Sequence, residues 1–192
     1  GGSFQGREAV LTGDLNMEGV EMEAIGTEGV PFRGTFEGQG YEIQNLSIDG
    51  ADNQGLFGVV RGGIVQDVTL TQARIVGERN TGGIAGSSSG TIKNCIFQGE
   101  VQGMESVGGI VGVQTGGTIT RCASQAEVSG TGNDTGGVLG KGNGGQTELC
   151  SSQGNVTGGM GTCGGVAGYL NGSSVANCYS RADVSTTGAN IG

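Results

Sequence analysis

Thr81-Gly82-Gly83-Ile84-Ala85-Gly86 is the stretch that decides the fold, because versions of it recur along the chain. The later copies are Gly108-Gly109-Ile110-Val111-Gly112, Gly136-Gly137-Val138-Leu139-Gly140 and Gly164-Gly165-Val166-Ala167-Gly168. Their first glycines recur at a nearly constant spacing, and a looser copy, Gln54-Gly55-Leu56-Phe57-Gly58, precedes them. A constant period of a few tens of residues is typical of repeat proteins.

Two further series of apolar residues have nearly the same period. The members of one are Ile43/Leu46, Val65/Val68, Ile92/Cys95, Ile119/Cys122, Thr147/Cys150 and Val175/Cys178; those of the other are Ile75, Val101, Val128, Val156 and Val184. Three short β-type segments per repeat predict a three-sided coil. No window carries the apolar spacing of a helix, and glycine in a helix interior costs about 1 kcal/mol. The sequence therefore predicts an all-β fold, a right-handed parallel β-helix solenoid with about 27–28 residues per coil.

The regular repeats divide the chain into two parts. Residues 1–40 are predicted to be an N-terminal lead-in and capping segment, and residues 41–192 the repeat β-helix. Gly192 follows Gly164 by one further repeat period, where the next unit would begin. We therefore expect the array to be truncated here, and the chain to belong to a longer protein with other domains.

Composition and charge exclude several classes of protein. The chain has 45 glycines, but the regular return of Ile, Val and Leu argues against disorder. The net charge of −9 argues against a nucleic-acid partner, since phosphates are bound by clustered Lys and Arg. No apolar run is long enough to insert into a membrane.

Two motifs carry a resemblance to a known family. They are Phe32-Arg33-Gly34-Thr35-Phe36-Glu37-Gly38-Gln39-Gly40-Tyr41-Glu42-Ile43, with Glu37 where Asp is commoner, and Gly55-Leu56-Phe57-Gly58. With the later Gly-Gly units they make residues 11–192 resemble the GLUG-repeat proteins of bacterial cell surfaces. The chain is also similar to the repeat region of IgA-specific zinc metallopeptidases.

The resemblance implies a β-helix and an extracellular or cell-surface location. It implies no catalytic residue in this chain. The peptidases' zinc motif, His-Glu-x-x-His, is absent, because the sequence contains no histidine. Any proteolytic activity is therefore expected in another part of a longer protein.

The cysteines invite a zinc or disulfide interpretation that their spacing does not favour. Cys95, Cys122, Cys150 and Cys178 are single and lie one repeat apart, whereas structural zinc sites use close pairs. Parallel side chains on adjacent rungs strain disulfide geometry. We interpret them as small buried residues. Cys163 occupies the repeat position that Thr81, Val107 and Thr135 hold in earlier repeats, and it too is interpreted as a small packing residue. Whether its thiol is free is left open.

Polar clusters give two weak metal candidates and one weak anion candidate. Asp49, Asp52 and Asn53 form one acidic cluster and Asn133-Asp134 another. Calcium needs about six to eight oxygen ligands, so solvated loop acids are the favoured interpretation. Lys141, between Gly140 and Gly142, lacks a phosphate-loop pattern and is predicted to be a solvated lysine in a turn.

Glu100 and Glu127 are the nearest approach to a catalytic pair. They lie one repeat apart, which predicts carboxylates on adjacent rungs, and Asp183 continues the line. Glycosidases need two carboxylates about 5–10 Å apart. A solvated edge is the favoured interpretation, so we predict no catalytic, cofactor-binding or metal residue, and no enzyme.

The expected function is that of a non-catalytic β-helix module of a secreted or cell-surface bacterial protein. It would act in adhesion or binding, or as a spacer. The expected partner is a host glycoprotein or glycan. Two alternatives remain: the accessory region of a secreted IgA-type metallopeptidase, and a carbohydrate-cleaving β-helix enzyme.

Overall fold

The chain folds as a parallel β-solenoid, which a computed structural model describes for residues 4–187 and 190–191. Within these residues 27 strands pair in parallel to form four sheets. The solenoid has about 7 turns of ~28 residues each. The predicted all-β parallel solenoid is therefore confirmed.

The strands are short, mostly of two to four residues, and follow one another closely along the chain. In chain order they are β1 (Glu8–Val10), β2 (Leu15–Asn16), β3 (Thr35–Glu37), β4 (Glu42–Gln44), β5 (Ser47–Asp49), β6 (Phe57–Val60), β7 (Ile64–Gln66), β8 (Thr69–Val76), β9 (Arg79–Gly82), β10 (Ala85–Ser88), β11 (Thr91–Lys93), β12 (Ile96–Gly103), β13 (Glu105–Gly108), β14 (Val111–Gln114), β15 (Thr118–Thr120), β16 (Ala123–Gly130), β17 (Thr135–Gly136), β18 (Leu139–Gly142), β19 (Gln146–Glu148), β20 (Ser151–Gln153), β21 (Asn155–Gly158), β22 (Thr162–Gly164), β23 (Ala167–Leu170), β24 (Ser174–Ala176), β25 (Tyr179–Ser180), β26 (Asp183–Thr186) and β27 (Asn190–Ile191).

Each regular turn visits the four sheets in a fixed order. Sheet I contains β9, β13, β17, β22 and β27; sheet II contains β6, β10, β14, β18 and β23; sheet III contains β1, β3, β7, β11, β15, β19 and β24; sheet IV contains the remaining ten strands. The sequence predicted three β-segments per turn, but each regular turn of the structure has four strands. The reason is that the Gly-Gly unit folds back between two strands: β9 ends at Gly82 and β10 begins at Ala85.

Sheets I and II approach each other so closely that only glycine fits at the contact. A Cβ atom on Gly108 would overlap the carbonyl oxygen of Val111. A Cβ atom on Gly112 would lie 2.5 Å from the backbone nitrogen of Thr81 in the preceding turn. Side chains cannot be accommodated so close to backbone atoms, so the recurring glycines are required by close packing of the chain.

The core consists of apolar ladders that run along the solenoid axis. Val101 pairs with Ile75 on one side and Val128 on the other, and Val156 and Val184 continue the line. The side chains of Ile75, Val101 and Val128 are at most 2% exposed. This predicted ladder is confirmed, and it buries each turn against its neighbours.

The ladder that runs from Val65 through Ile92 and Ile119 to Val175 is confirmed too, with Thr147 as its polar member. The Thr147 hydroxyl lies 3.1 Å from Oε1 of the fully buried Gln114, to which it donates a hydrogen bond. The Gln114 amide donates in turn to the carbonyl of Gln146 at 3.0 Å. The buried amide is thereby hydrogen-bonded through both of its polar atoms.

The predicted first member of that ladder is wrong. Ile43 pairs with Leu70 and not with Val65. Val65 pairs instead with Phe36, which precedes Ile43 in the chain. The step predicted from Ile43 to Val65 was too short, because the chain needs about one full repeat here, as in later turns, to complete the coil.

Aromatic side chains fill the N-terminal end of the core. The ring centroids of Phe32 and Phe57 are 4.8 Å apart, those of Phe36 and Phe57 5.4 Å, and those of Phe4 and Phe32 5.9 Å. Through β1 and β3 the segment before residue 40 joins sheet III. Its role as a separate cap stays a prediction.

Candidate binding surface

Sheet I begins at a corner whose residues share a left-handed backbone. The φ angle is +53° to +62° at Asn53, Asn80, Ser106 and Asp134. Asn and Asp tolerate this conformation better than most residues. The amide of Asn80 donates to Oδ1 of Asn53 at 3.0 Å, so these two corner side chains join neighbouring turns.

The central position of sheet II lies beside this corner and changes character along the axis. In successive turns it is occupied by Val59, Ser87, Val113, Lys141 and Tyr169. The first three side chains are buried, Lys141 is half-buried and Tyr169 is 42% exposed. The line therefore becomes cationic and then aromatic towards the C-terminal end.

At that end a shallow depression of about 340 Å³ opens between the corner and sheet II. We call it the polar depression. It is lined by Asn133, Asp134, Lys141, Asn143, Tyr169 and Asn171. It brings together residues from two adjoining parts of the coil and from successive turns.

A nearly buried carboxylate lies at the base of the polar depression. Asp134 is 9% exposed, and its Oδ1 accepts a hydrogen bond from Thr162 Oγ1 at 2.9 Å. Its Oδ2 lies 3.3 Å from Lys141 Nζ, which also lies 5.3 Å from the centroid of the Tyr169 ring. The carboxylate and the ammonium group compensate each other, so the depression carries little net charge although the chain carries −9.

Three asparagines surround this ion pair at the surface. Asn133, Asn143 and Asn171 are all exposed, and none of their side-chain amides has a hydrogen-bond partner within residues 4–187. Each amide offers an oxygen acceptor and two N–H donors. The polar depression therefore combines free amides, a partly used carboxylate and ammonium group, and an aromatic ring.

Two of these residues contradict the sequence-based interpretation. Lys141 lies in strand β18 and not in a turn, and Asp134 is buried and paired rather than a solvated loop acid. The flanking glycines made Lys141 look like part of a turn. The signal that could have identified it is its position one repeat after Val113 and one repeat before Tyr169.

The N-terminal acidic cluster does not assemble a metal-like arrangement. Asp52 is engaged by Arg79, whose Nε and Nη2 donate to its two oxygens at 3.1 and 2.9 Å. Asp49 lines the same cleft as Asp52, Asn53 and Glu23. Among the described residues, no group of three or more His, Cys, Asp or Glu is placed to hold a metal ion.

Glu100 and Glu127 pair in register on adjacent strands of sheet IV, as their spacing predicted. Adjacent strands are about 4.8 Å apart. Arg74 pairs with Glu100 on the other side, and Asp183 pairs with Asn155 farther along. The side chains of all five residues are exposed, which agrees with a solvated edge.

The cysteines are free thiols, and most of them lie within the core. Cys95, Cys122, Cys150 and Cys163 are buried, which confirms their interpretation as small core residues, and Cys163 is free. Cys178 is only partly buried, because it lies in the last turn. Hydrogen bonding with Cys150 and Cys95, together with burial, raises the pKa of the Cys122 thiol well above its ordinary value.

Comparison with known proteins supports the fold more than the function. A crystal structure of a "putative immunoglobulin A1 protease" from Bacteroides ovatus matches with a TM-score of 0.83, over 97% of this chain and 76% of that chain, at 23% identity. At that identity the match shows the shared solenoid alone. No protein-family model matches the chain, so the resemblance to GLUG-repeat proteins stays a prediction.

A second relative is known by sequence. Halomucin of Haloquadratum walsbyi (strain DSM 16790 / HBSQ001) is 40% identical over 98 residues, which are 50% of this chain and 1% of halomucin. The match thus spans a very small share of that protein. None of the described residues forms a helix with the length and apolar character that a membrane crossing needs.

Proposed function

We propose that this chain is a non-catalytic β-solenoid module of a secreted or cell-surface protein, which binds a glycoprotein or glycan through surface side chains held on a rigid scaffold. The single observation that carries this proposal is the polar depression. There an ion pair and a tyrosine lie with three amides that have no hydrogen-bond partner in the described part of the chain, at one end of two stacked sheets. Lys141 and Tyr169 lie on strands and the other groups lie next to them, so little backbone entropy is lost when a ligand binds.

The same scaffold would also hold neighbouring domains apart. Successive turns add about 4.8 Å of length each. The match to a 1% share of halomucin supports a role as one small piece of a long protein. In this proposal the same stacked turns both separate neighbouring domains and carry the binding surface.

A second candidate is the accessory region of a secreted IgA-type metallopeptidase. The observation in its favour is the 97% coverage of this chain by the Bacteroides ovatus structure. Because this sequence has no histidine, the zinc site of such an enzyme would lie in another part of the protein. This candidate and the first are compatible.

The test is a glycan-array and glycoprotein binding screen, run beside an assay for newly formed reducing sugar ends. We expect saturable binding without turnover. The double variant Glu100→Gln/Glu127→Gln should bind as the wild type does, because these carboxylates lie on sheet IV and do not line the polar depression.

Two results would count against the proposal. Release of sugar ends that disappears in the Glu100→Gln/Glu127→Gln variant would establish the carbohydrate-cleaving alternative. A screen with neither binding nor turnover would contradict the binding role and leave only the spacer.

A further inference from the structure

We propose that the polar depression is a binding site for a single uncharged pyranose unit of a glycan. This inference rests on the proposed function and gives it a location and a ligand class. Asp134 and Lys141 are 3.3 Å apart and satisfy each other's charge, so neither a cation nor an anion is required to neutralise the site.

The ion pair still has hydrogen-bonding capacity to offer. Each oxygen of Asp134 has one protein partner, Thr162 or Lys141, and retains a lone pair for a hydroxyl donor. Lys141 has three N–H donors, of which the contact with Asp134 uses one. An acceptor and a donor side by side match two neighbouring hydroxyl groups, each of which can both donate and accept.

The surrounding amides have the same dual character. Asn143 and Asn171 directly follow Gly142 and Leu170, which pair on adjacent strands. Their Cα atoms are therefore about 4.8 Å apart along the axis, close to the width of one sugar ring. Asn133 also lines the depression, so donors and acceptors border a space of that size.

Tyr169 supplies the apolar contact that sugar rings need. Its ring is 42% exposed and has Lys141 Nζ 5.3 Å from its centroid. Aromatic rings stabilise the C–H face of a pyranose while the hydroxyl edge is hydrogen-bonded elsewhere. An acidic sugar is disfavoured by the chain's charge of −9.

The probes are the methyl glycosides of glucose, galactose, mannose and N-acetylglucosamine, with glucuronic acid as a charged comparison. Binding to the whole chain is followed by amide chemical shifts in NMR titrations. We expect at least one uncharged glycoside to shift the amides of the polar depression, and glucuronic acid to bind more weakly.

The variants test whether a glycoside binds in the polar depression or at any exposed tyrosine of the chain. Tyr169→Ala and Asn143→Ala/Asn171→Ala should each weaken binding roughly ten-fold, while Tyr169→Phe should keep most of it. The matched control is Tyr179→Ala. Tyr179 is 52% exposed and has Arg181 5.5 Å from its ring centroid, but it lies on sheet IV. Removal of this second cation–tyrosine pair should leave binding unchanged.

The outcomes distinguish this inference from the proposed function. If the screen finds a glycan ligand whose binding is unaffected by Tyr169→Ala, the chain is a binding module and this site assignment is wrong. Tighter binding of glucuronic acid than of every uncharged glycoside would overturn the ligand class. If no probe binds and the screen is also silent, both proposals fail.

Discussion

At a second corner with left-handed backbone conformation, single side chains decide whether neighbouring turns are joined by a hydrogen bond. This corner, which follows sheet III, has φ between +52° and +55° at Asp67, Asn94, Arg121, Leu149 and Asn177. Asparagine and aspartate tolerate this conformation and can link the turns by a hydrogen bond: the Asn94 amide donates to Asp67 Oδ1 at 2.9 Å. Leu149 offers no such bond, since its side chain has no polar group, and its Cβ is crowded in this conformation.

Leu149→Asn is expected to stabilise the protein by about 1 kcal/mol, because asparagine tolerates the left-handed conformation better than leucine does. Leu149 is 45% exposed, so little apolar burial is lost. The measurement is the free energy of unfolding in urea. Leu170→Asn is the control, because Leu170 is 42% exposed but lies in the extended strand β23. An equal gain in both variants would show that backbone conformation is not the cause.

At the scale of an element, the fold-back between sheets I and II is the least adaptable part of each turn. Its two strands are separated by only two residues, as Gly83 and Ile84 separate β9 from β10. Many of the atoms nearest its glycines belong to the backbone, which cannot move aside as a side chain can. A substitution there must shift backbone atoms of a neighbouring turn.

Gly112→Ala is expected to destabilise the protein by about 1–3 kcal/mol, the usual cost of overpacking. Its Cβ would lie 2.5 Å from both the carbonyl carbon of Asn80 and the nitrogen of Thr81. Urea unfolding measures the effect. Gly29→Ala serves as the control, because nothing lies within 4 Å of a Cβ at that position. Equal stability of the two variants would contradict the close-contact account.

Some strand pairings could be predicted from the sequence and others could not. The ladder through Val101 and Val128 could be predicted, because each member returns after one repeat period at a fully buried position. The pairing of Ile43 could not be, since an apolar pattern by itself does not state how much chain a turn requires. The polar depression escaped prediction for another reason: it forms where Asp134, Lys141 and Tyr169 converge from different parts of the coil.

At the scale of the whole molecule, buried thiols couple stability to pH. Burial raises the pKa of Cys163, which is 1% exposed and whose thiol donates to the carbonyl of Ser185 at 3.6 Å. An unfolded cysteine loses its proton at about pH 8.5. Above that pH the unfolded chain releases a proton that the folded chain retains, so stability should fall as the pH rises through the folded pKa.

We expect this fall to have a slope of at most about 1.4 kcal/mol per pH unit for each thiol that stays protonated. Cys163→Val removes one such thiol and places there the residue that Val107 supplies in an earlier turn. The curve of unfolding free energy against pH should therefore become shallower above about pH 8.5. Urea unfolding under reducing conditions measures it.

The control for the pH experiment is Ile119→Val, a core change in strand β15 that removes no titratable group. It should shift the whole curve without changing its slope, because a methylene group binds no proton. A slope unaltered by Cys163→Val would refute the linkage between this thiol and stability.

The stacking of in-register turns has a mechanical consequence. Each turn is linked covalently to the next at one place and is otherwise held by parallel pairing between equivalent residues. Tension applied to the two chain ends would therefore detach the outermost turn before any inner one. Each detached turn would release roughly 95 Å of extended chain, while the solenoid shortened by only about 4.8 Å. Under load the molecule would act as a coiled tether that lengthens in discrete steps and rewinds when the load is removed.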